Sequence, residues 1–248
     1  MRFTEGRPRR SLLGGGAKPL RTEETSRARY RVRVARTGAA RGLTHLAQIE
    51  RLRRAVAESG LPAVLQKRRK SPRPKLAFGP AISMGYESAA EYFDMELSAV
   101  LAPPEVGEAL SRVLKDGLEV RSVRRIPQFY PSLDASINVV RYEIRGSFPE
   151  GAGESLARFL ERPEIVIEKL KEGGARVERI DAKPLIIEMR LASPELLELS
   201  LRFGPNRTVK PEALLREWLT RPDAEMEQFR ILRKELLSET ARGELLAP

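Results

Sequence analysis

From Arg29 onward the chain alternates charge with apolar bulk. Tyr30, Val32 and Val34 interleave with Arg29, Arg31 and Arg33, which predicts a strand with one apolar and one cationic face. Gly38 to Gly42 reads as a turn. Leu43, Leu46, Ile49, Leu52 and Val56 then recur at helical spacing, and Gly60 with Pro62 stops that helix. Ala63–Lys67 predicts a short strand, Lys67–Lys75 a loop stiffened by Pro72 and Pro74, and Leu76–Phe78 the start of another strand. Glu91–Leu97 alternates as a strand. Pro103 and Pro104 open a helix whose stripe is Val106, Leu110, Val113 and Leu114, with Gly117 as its cap. Leu118–Ile126 closes this half as a strand.

The same element order recurs downstream. Strands are expected at Ile137–Ile144, Ile165–Lys169, Val177–Ile180, Leu185–Leu191, Leu196–Phe203 and Met226–Leu232. Helices are expected at Glu154–Leu160 and Pro211–Leu219. Two successive β-α-β-β-α-β orders predict an α+β protein built of tandem ferredoxin-like units, with one extra hairpin in the second. The expected division is a basic, disordered arm at 1–28, a first unit at 29–128 and a second at 129–248. The arm carries a triple glycine and two prolines and shows no hydrophobic period.

Charge adds a polarity to this layout. Of 45 lysines and arginines, 21 fall in residues 1–75, against five acids; the other 173 residues carry 24 basic and 29 acidic side chains. A polyanion partner would meet the basic end. The chain has no cysteine, which excludes disulfides, thiolate metal sites and thiol nucleophiles. No apolar run approaches the ~20 residues of a membrane span, and no signal-peptide core is present. A cytoplasmic protein without a membrane role is expected.

Four segments carry a family resemblance: YRVRVARTGAARGLTHLAQIERLRRAVAESGLP (30–62), SPRPKLAFGPAISMGYESAAEYFDMEL (71–97), PSLDASINVVRYEI (131–144) and VERIDAKPLIIEMRL (177–191). Together they resemble the radical-SAM-linked protein family, a bacterial domain of unknown function fused to, or encoded beside, a radical SAM protein. The resemblance runs from residue 29 to about residue 235. It implies a radical SAM protein acting in trans and an RNA-related setting. Where that family usually has Gln-Gly-Phe, this chain has Gln66 followed by Lys67, Arg68, Arg69 and Lys70, and the added cations favour polyanion binding.

The candidate chemistry is sparse. His45, the only histidine, follows the glycine turn beside Arg36 and Arg41. An imidazole there could serve as general base on a ribose 2′-hydroxyl with arginines holding the phosphate, an arrangement similar to the CRISPR repeat-cleaving RAMP endonucleases, which also use tandem ferredoxin-like folds. It could equally cap the helix or contact RNA. A single histidine builds no multi-histidine metal site. Lys67, Arg68, Arg69, Lys70, Arg73 and Lys75 form the densest cationic run, reinforced by Arg51, Arg53 and Arg54 on the helix. Tyr86, Tyr92 and Phe93 follow; alternation puts Phe93 opposite Tyr92, so at most one reaches an open face for base stacking, and core packing accounts for each. Asp94 and Glu96 share a strand face, with Glu87 and Glu91 near; they suit Mg²⁺ or a polar outer face, and the latter fits a half-buried strand better. Asp181, Lys183 and Pro184 read as a strand-to-strand turn. Gly14–Gly16 lacks the Lys-Ser/Thr of a phosphate loop.

These readings converge on a non-catalytic RNA-binding accessory protein, with rRNA or tRNA as partner, no cofactor and no bound metal. Its expected contact residues are Arg36, Arg41, His45, Lys67, Arg68, Arg69, Lys70, Arg73 and Lys75. Two alternatives remain: a metal-independent RNA endonuclease using His45, and a protein-interaction subunit docking an acidic partner.

Overall fold

The computed structural model describes residues 27–66, 72–170, 177–204 and 207–248. In the first half, β1 (Ala28–Arg36) leads through a 3-10 turn at Gly38–Gly42 into α1 (His45–Glu58). Then come β2 (Leu76–Phe78), β3 (Glu87–Leu97), α2 (Pro103–Val113) and β4 (Leu118–Ile126). A short α3 (Leu133–Ser136) precedes the second half: β5 (Val139–Arg145), α4 (Ala152–Glu161), β6 (Val166–Leu170), β7 (Val177–Asp181), β8 (Ile186–Ser193) and β9 (Leu196–Arg202). It ends with α5 (Pro211–Leu219), α6 (Asp223–Met226), β10 (Arg230–Glu239) and β11 (Leu245–Leu246).

The architecture is α+β around one nine-stranded, mostly antiparallel sheet among the described residues, in the order β4-β1-β3-β10-β5-β9-β8 with β2 beside β3 and β11 beside β10. β6 and β7 form a separate hairpin. The halves meet where β10 runs parallel to the start of β3, Leu232 opposite Glu87 and Arg233 opposite Ser88. Two apolar cores flank this junction. One gathers Tyr30, Val32, Val34, Phe93 and Met95 under Leu52, Val56, Val106 and Leu110. The other gathers Ile144, Leu197, Leu199 and Leu201 with Phe148, Phe159, Leu214 and Trp218. Phe148 and Trp218 stack with ring centroids 5.7 Å apart.

The first strand keeps its alternation: the even positions 30, 32 and 34 are fully buried in the helix-covered core. The first helix departs from its expected stripe. Leu46 is 74% exposed, whereas Gln48, Leu52, Ala55 and Val56 are buried. These four lie at the i, i+4, i+7 and i+8 spacing of one helix face, and a polar side chain occupies its first position. The closing strand begins at Arg230, since Asp223–Met226 is a helical turn. Gly117 is not the α2 cap; the helix ends at Val113 with Leu114 in extended backbone. Gly117 instead has φ +85° because the chain passes against the first turn, and the Thr37 amide donates to its carbonyl at 2.8 Å. A Cβ there would lie 2.0 Å from the Thr37 oxygen. No described helix is long and apolar enough to cross a membrane.

Candidate nucleic-acid interface

The turn before α1 is held from below. Arg36, at the end of β1, has no exposed surface. Its Nη1 donates to Gln48 Oε1 at 3.0 Å and its Nη2 to the carbonyls of Arg41 and Leu43, each at 2.7 Å. Gln48 Nε2 in turn donates to Glu91 Oε2 at 3.0 Å, and Arg233 Nε donates to Glu91 Oε1 at 2.9 Å. Arg233 also reaches the carbonyls of Ala81 (3.0 Å) and Pro80 (3.2 Å). A buried polar chain therefore runs Arg36–Gln48–Glu91–Arg233, from β1 through α1 and β3 to β10. Burial opposes ionisation of Glu91, but the Arg233 charge, with hydrogen bonds from Arg233, Ser88 and Gln48, holds its carboxyl below the ordinary range. Arg36 thus shapes the turn, and its buried guanidinium is not available to a ligand.

Arg41 and His45 sit on that turn. Arg41 Nε donates to the Gly85 carbonyl at 3.1 Å, and the Gly85 amide donates back to the Arg41 carbonyl at 2.9 Å. Arg41 lines a cleft of about 460 Å³ with Met84, Tyr86, Glu212 and Phe229. The Tyr86 hydroxyl donates to Glu212, so this aromatic packs at the junction of the halves. His45 opens α1 just after the cap, where Thr44 Oγ1 accepts from the Ala47 amide at 3.1 Å. Its Nδ1 is buried without a hydrogen-bond partner. Burial pushes the imidazole pKa down, and Arg233 and Arg36 add to this against the pull of Glu91. These effects favour the neutral imidazole.

The cationic run divides. Lys67, Arg68, Arg69 and Lys70 lie outside the described residues. The stem around them is a narrow hairpin, Leu65 opposite Pro74, that leaves the sheet beside β3. Arg73 Nη1 donates to both Glu50 oxygens at 3.1 and 3.3 Å, and Arg53 Nη1 reaches the same carboxylate at 2.9 Å. One acid on α1 thus faces two guanidiniums. Lys75 pairs with Glu96 and Arg51 with Asp116 (3.5 Å), all but Glu96 well exposed. Arg54 is exposed on the same helix. Arg53 also lies over the Phe78 ring, 5.5 Å from its centroid, which ties the hairpin stem to α1. Glu50, Arg53 and Arg73 so join the stem to α1, while Arg51 and Arg54 line a neighbouring groove with Glu58 and Asp116. Arg41 belongs to a different place, the cleft at the junction, and His45 stands at the start of α1.

The carboxylates of β3 serve as internal counterions. Asp94 is buried and accepts from Arg31 Nε (2.7 Å), Arg31 Nη2 (2.8 Å) and Arg29 Nη2 (2.6 Å). Two of the three arginines on the cationic face of β1 are thereby internal. Among the described residues no group of three or more histidine or carboxylate side chains is placed to hold a metal ion. Phe93 is in the core and Tyr92, half-buried, lies opposite Arg33. Asp181 Oδ1 accepts from the amides of Ile165 and Lys183, both at 3.0 Å, so this acid closes a turn.

Sequence reasoning missed the Glu91–Arg233 pair and the loop after β4. A signal existed for the first: Arg233 interrupts the apolar run of the closing strand two positions after Ile231. In that loop Tyr130 lies between the guanidiniums of Arg31 and Arg124, 5.3 and 5.6 Å from its ring centroid.

An α+β sheet with two helix-covered cores, a buried ionic junction and a basic helix–hairpin surface is the class of molecule these observations define. Residues 29–211 match the family described as an uncharacterized protein conserved in bacteria (DUF2344), and the chain belongs to that family. No curated protein matches the chain.

Proposed function

We propose that this protein is an RNA-binding accessory factor whose first half engages structured rRNA or tRNA. The observation that carries the reading is the α1–hairpin surface. There the cations Arg51, Arg53, Arg54, Arg73 and Lys75 stand against the acids Glu50, Glu58, Asp116 and Glu96, and Lys67, Arg68, Arg69 and Lys70, outside the described residues, add four cations in sequence. Such an excess draws phosphates by counterion release. The like relative orders of β4-β1-β3-β2 and β10-β5-β9-β8 support reading the halves as two ferredoxin-like units in tandem. An RNA held on this surface would be presented to a radical SAM enzyme supplied by another chain.

The test is a binding titration with bulk tRNA and rRNA across about 50–200 mM salt. The logarithm of affinity should fall linearly with the logarithm of salt. Replacing Arg54, Arg73 and Lys75 with Ala should lower the slope by about one for each phosphate that is no longer neutralised. A flat salt response, or no binding at low salt, overturns the proposal. A partner should co-purify in a ribonuclease-sensitive manner if RNA joins the two; ribonuclease-resistant association would favour a protein-docking role.

The nuclease reading would use His45, whose burial favours the neutral imidazole, as general base. His45→Ala would then abolish cleavage while sparing binding. Equal products from both proteins exclude it.

A further inference from the structure

The loop that joins the halves presents one aromatic ring to solvent on a rigid mount. Phe129 is 89% exposed. Its neighbours are anything but loose. Arg29 Nη1 donates to the Tyr130 carbonyl at 2.6 Å and to the Gln128 carbonyl at 3.4 Å. Arg31 Nη2 donates to the Pro131 carbonyl at 3.1 Å. Asp94 fixes both of these guanidiniums, and the Tyr130 ring is held between Arg31 and Arg124. The Gln128 amide donates to the Arg27 carbonyl at 3.2 Å. Backbone carbonyls and the Tyr130 ring thus anchor the loop, and Phe129 contributes nothing to the anchoring.

The surroundings of that ring are cationic. β4 is an end strand of the sheet, and Arg121, Arg124 and Arg125 on it are exposed. Arg121 pairs with Glu119 at 2.9 Å, and Arg124 donates to the Pro248 oxygen. Arg27 is also exposed. An exposed ring on a preordered mount, flanked by guanidiniums along an open strand, has the two ingredients of a single-strand platform. These are a flat face for a base and cations that track the backbone. A duplex offers no free base face to such a ring.

We infer that Phe129 stacks an unpaired base of single-stranded RNA, with Arg121 and Arg125 following the adjacent phosphates. This deepens the RNA-binding reading and rests on it. It places a second contact on the β4 edge and names the form of RNA bound there as an unpaired segment beside structured RNA.

The experiment compares a single-stranded oligoribonucleotide with a duplex of the same sequence, using the wild type, Phe129→Ala, Phe129→Trp and Arg125→Ala. Because Phe129 is exposed, Phe129→Ala should melt as the wild type does. It should weaken single-strand binding by about 5- to 100-fold with the salt slope unchanged, since a ring is removed and not a charge. Arg125→Ala should lower the slope by about one. Phe129→Trp should keep the affinity and show emission quenched on binding; Trp218, the other tryptophan then present, is buried. Salt-dependent RNA binding that Phe129→Ala leaves untouched overturns this inference alone. Absence of any RNA binding overturns both readings. A Phe129-dependent interaction with anionic vesicles, and not with the single strand, would also overturn it.

Discussion

Replacing Arg233 with Met removes the guanidinium that is bonded directly to Glu91. Both side chains are nearly inaccessible, Glu91 at 5% and Arg233 at 3%. After the change Glu91 keeps the Gln48 amide as a donor and loses its charge partner, while the carbonyls of Ala81 and Pro80 lose theirs. Removing one partner of a buried ion pair costs about 3–5 kcal/mol, because the remaining charge stays desolvated. For a chain of this size that corresponds to a fall in Tm of about 6–20 °C. Thermal and urea unfolding measure it directly. The pH dependence carries a sign. Glu91 has its folded pKa lowered, so its contribution is present above the unfolded value of about 4.3 and is lost as pH falls through the folded value. Glu91→Gln should therefore flatten the acid limb of the stability profile. The pair Glu91→Leu with Arg233→Met should recover only part of the loss, since the buried Arg36 guanidinium and the Gln48 amide then lose Glu91. If Arg233→Met changes stability by less than about 0.5 kcal/mol, the size of an ordinary surface substitution, the junction is not held by this ion pair.

His45 is the only histidine, so its ring protons can be followed by NMR without ambiguity. The titration should give a value below the ordinary ~6.5, and one at or above it contradicts the burial argument. With a lowered folded pKa, stability should decline as pH drops below about 6.5, and His45→Gln should remove that component. Gly117→Ala should destabilise by more than about 1–2 kcal/mol, because a left-handed backbone is compounded by contact with the Thr37 carbonyl. Gly38→Ala, at φ +52° with open space around its Cβ, should show only the backbone part. Equal effects at the two glycines would remove the close approach as an explanation.

Strand positions were legible because their side chains obey a period that burial enforces. β1 appears where alternation predicts it, β2 covers the expected Leu76–Phe78, and α5 coincides with its expected Pro211–Leu219. Charged side chains were harder to place. Arg29, Arg31 and Arg36 count as cations in a sequence, yet in the fold they hold carbonyls and carboxylates inside the protein. Net charge by segment cannot separate such internal arginines from those facing water; only partners distant in sequence do so. Glu91 illustrates the point, since its partner is 142 residues away. The short α3 escaped notice because four residues are less than the two turns a periodic pattern needs. Phe129 drew no attention because one exposed aromatic in a loop carries no periodic signal; its mount becomes visible only with Arg29 and Arg31 in place.

The position of β10 also bears on how the molecule is made. The last long strand lies mid-sheet, between β3 and β5, although its residues are translated after every other long strand. A nascent chain can therefore assemble β1, β3 and β4 early, yet Glu91 waits with an uncompensated charge until Arg233 leaves the ribosome. Until then the start of β3 is an unpaired edge, open to pairing with a wrong strand. Slow synthesis, or a stop before residue 230, would prolong that exposure and favour aggregation over completion of the sheet.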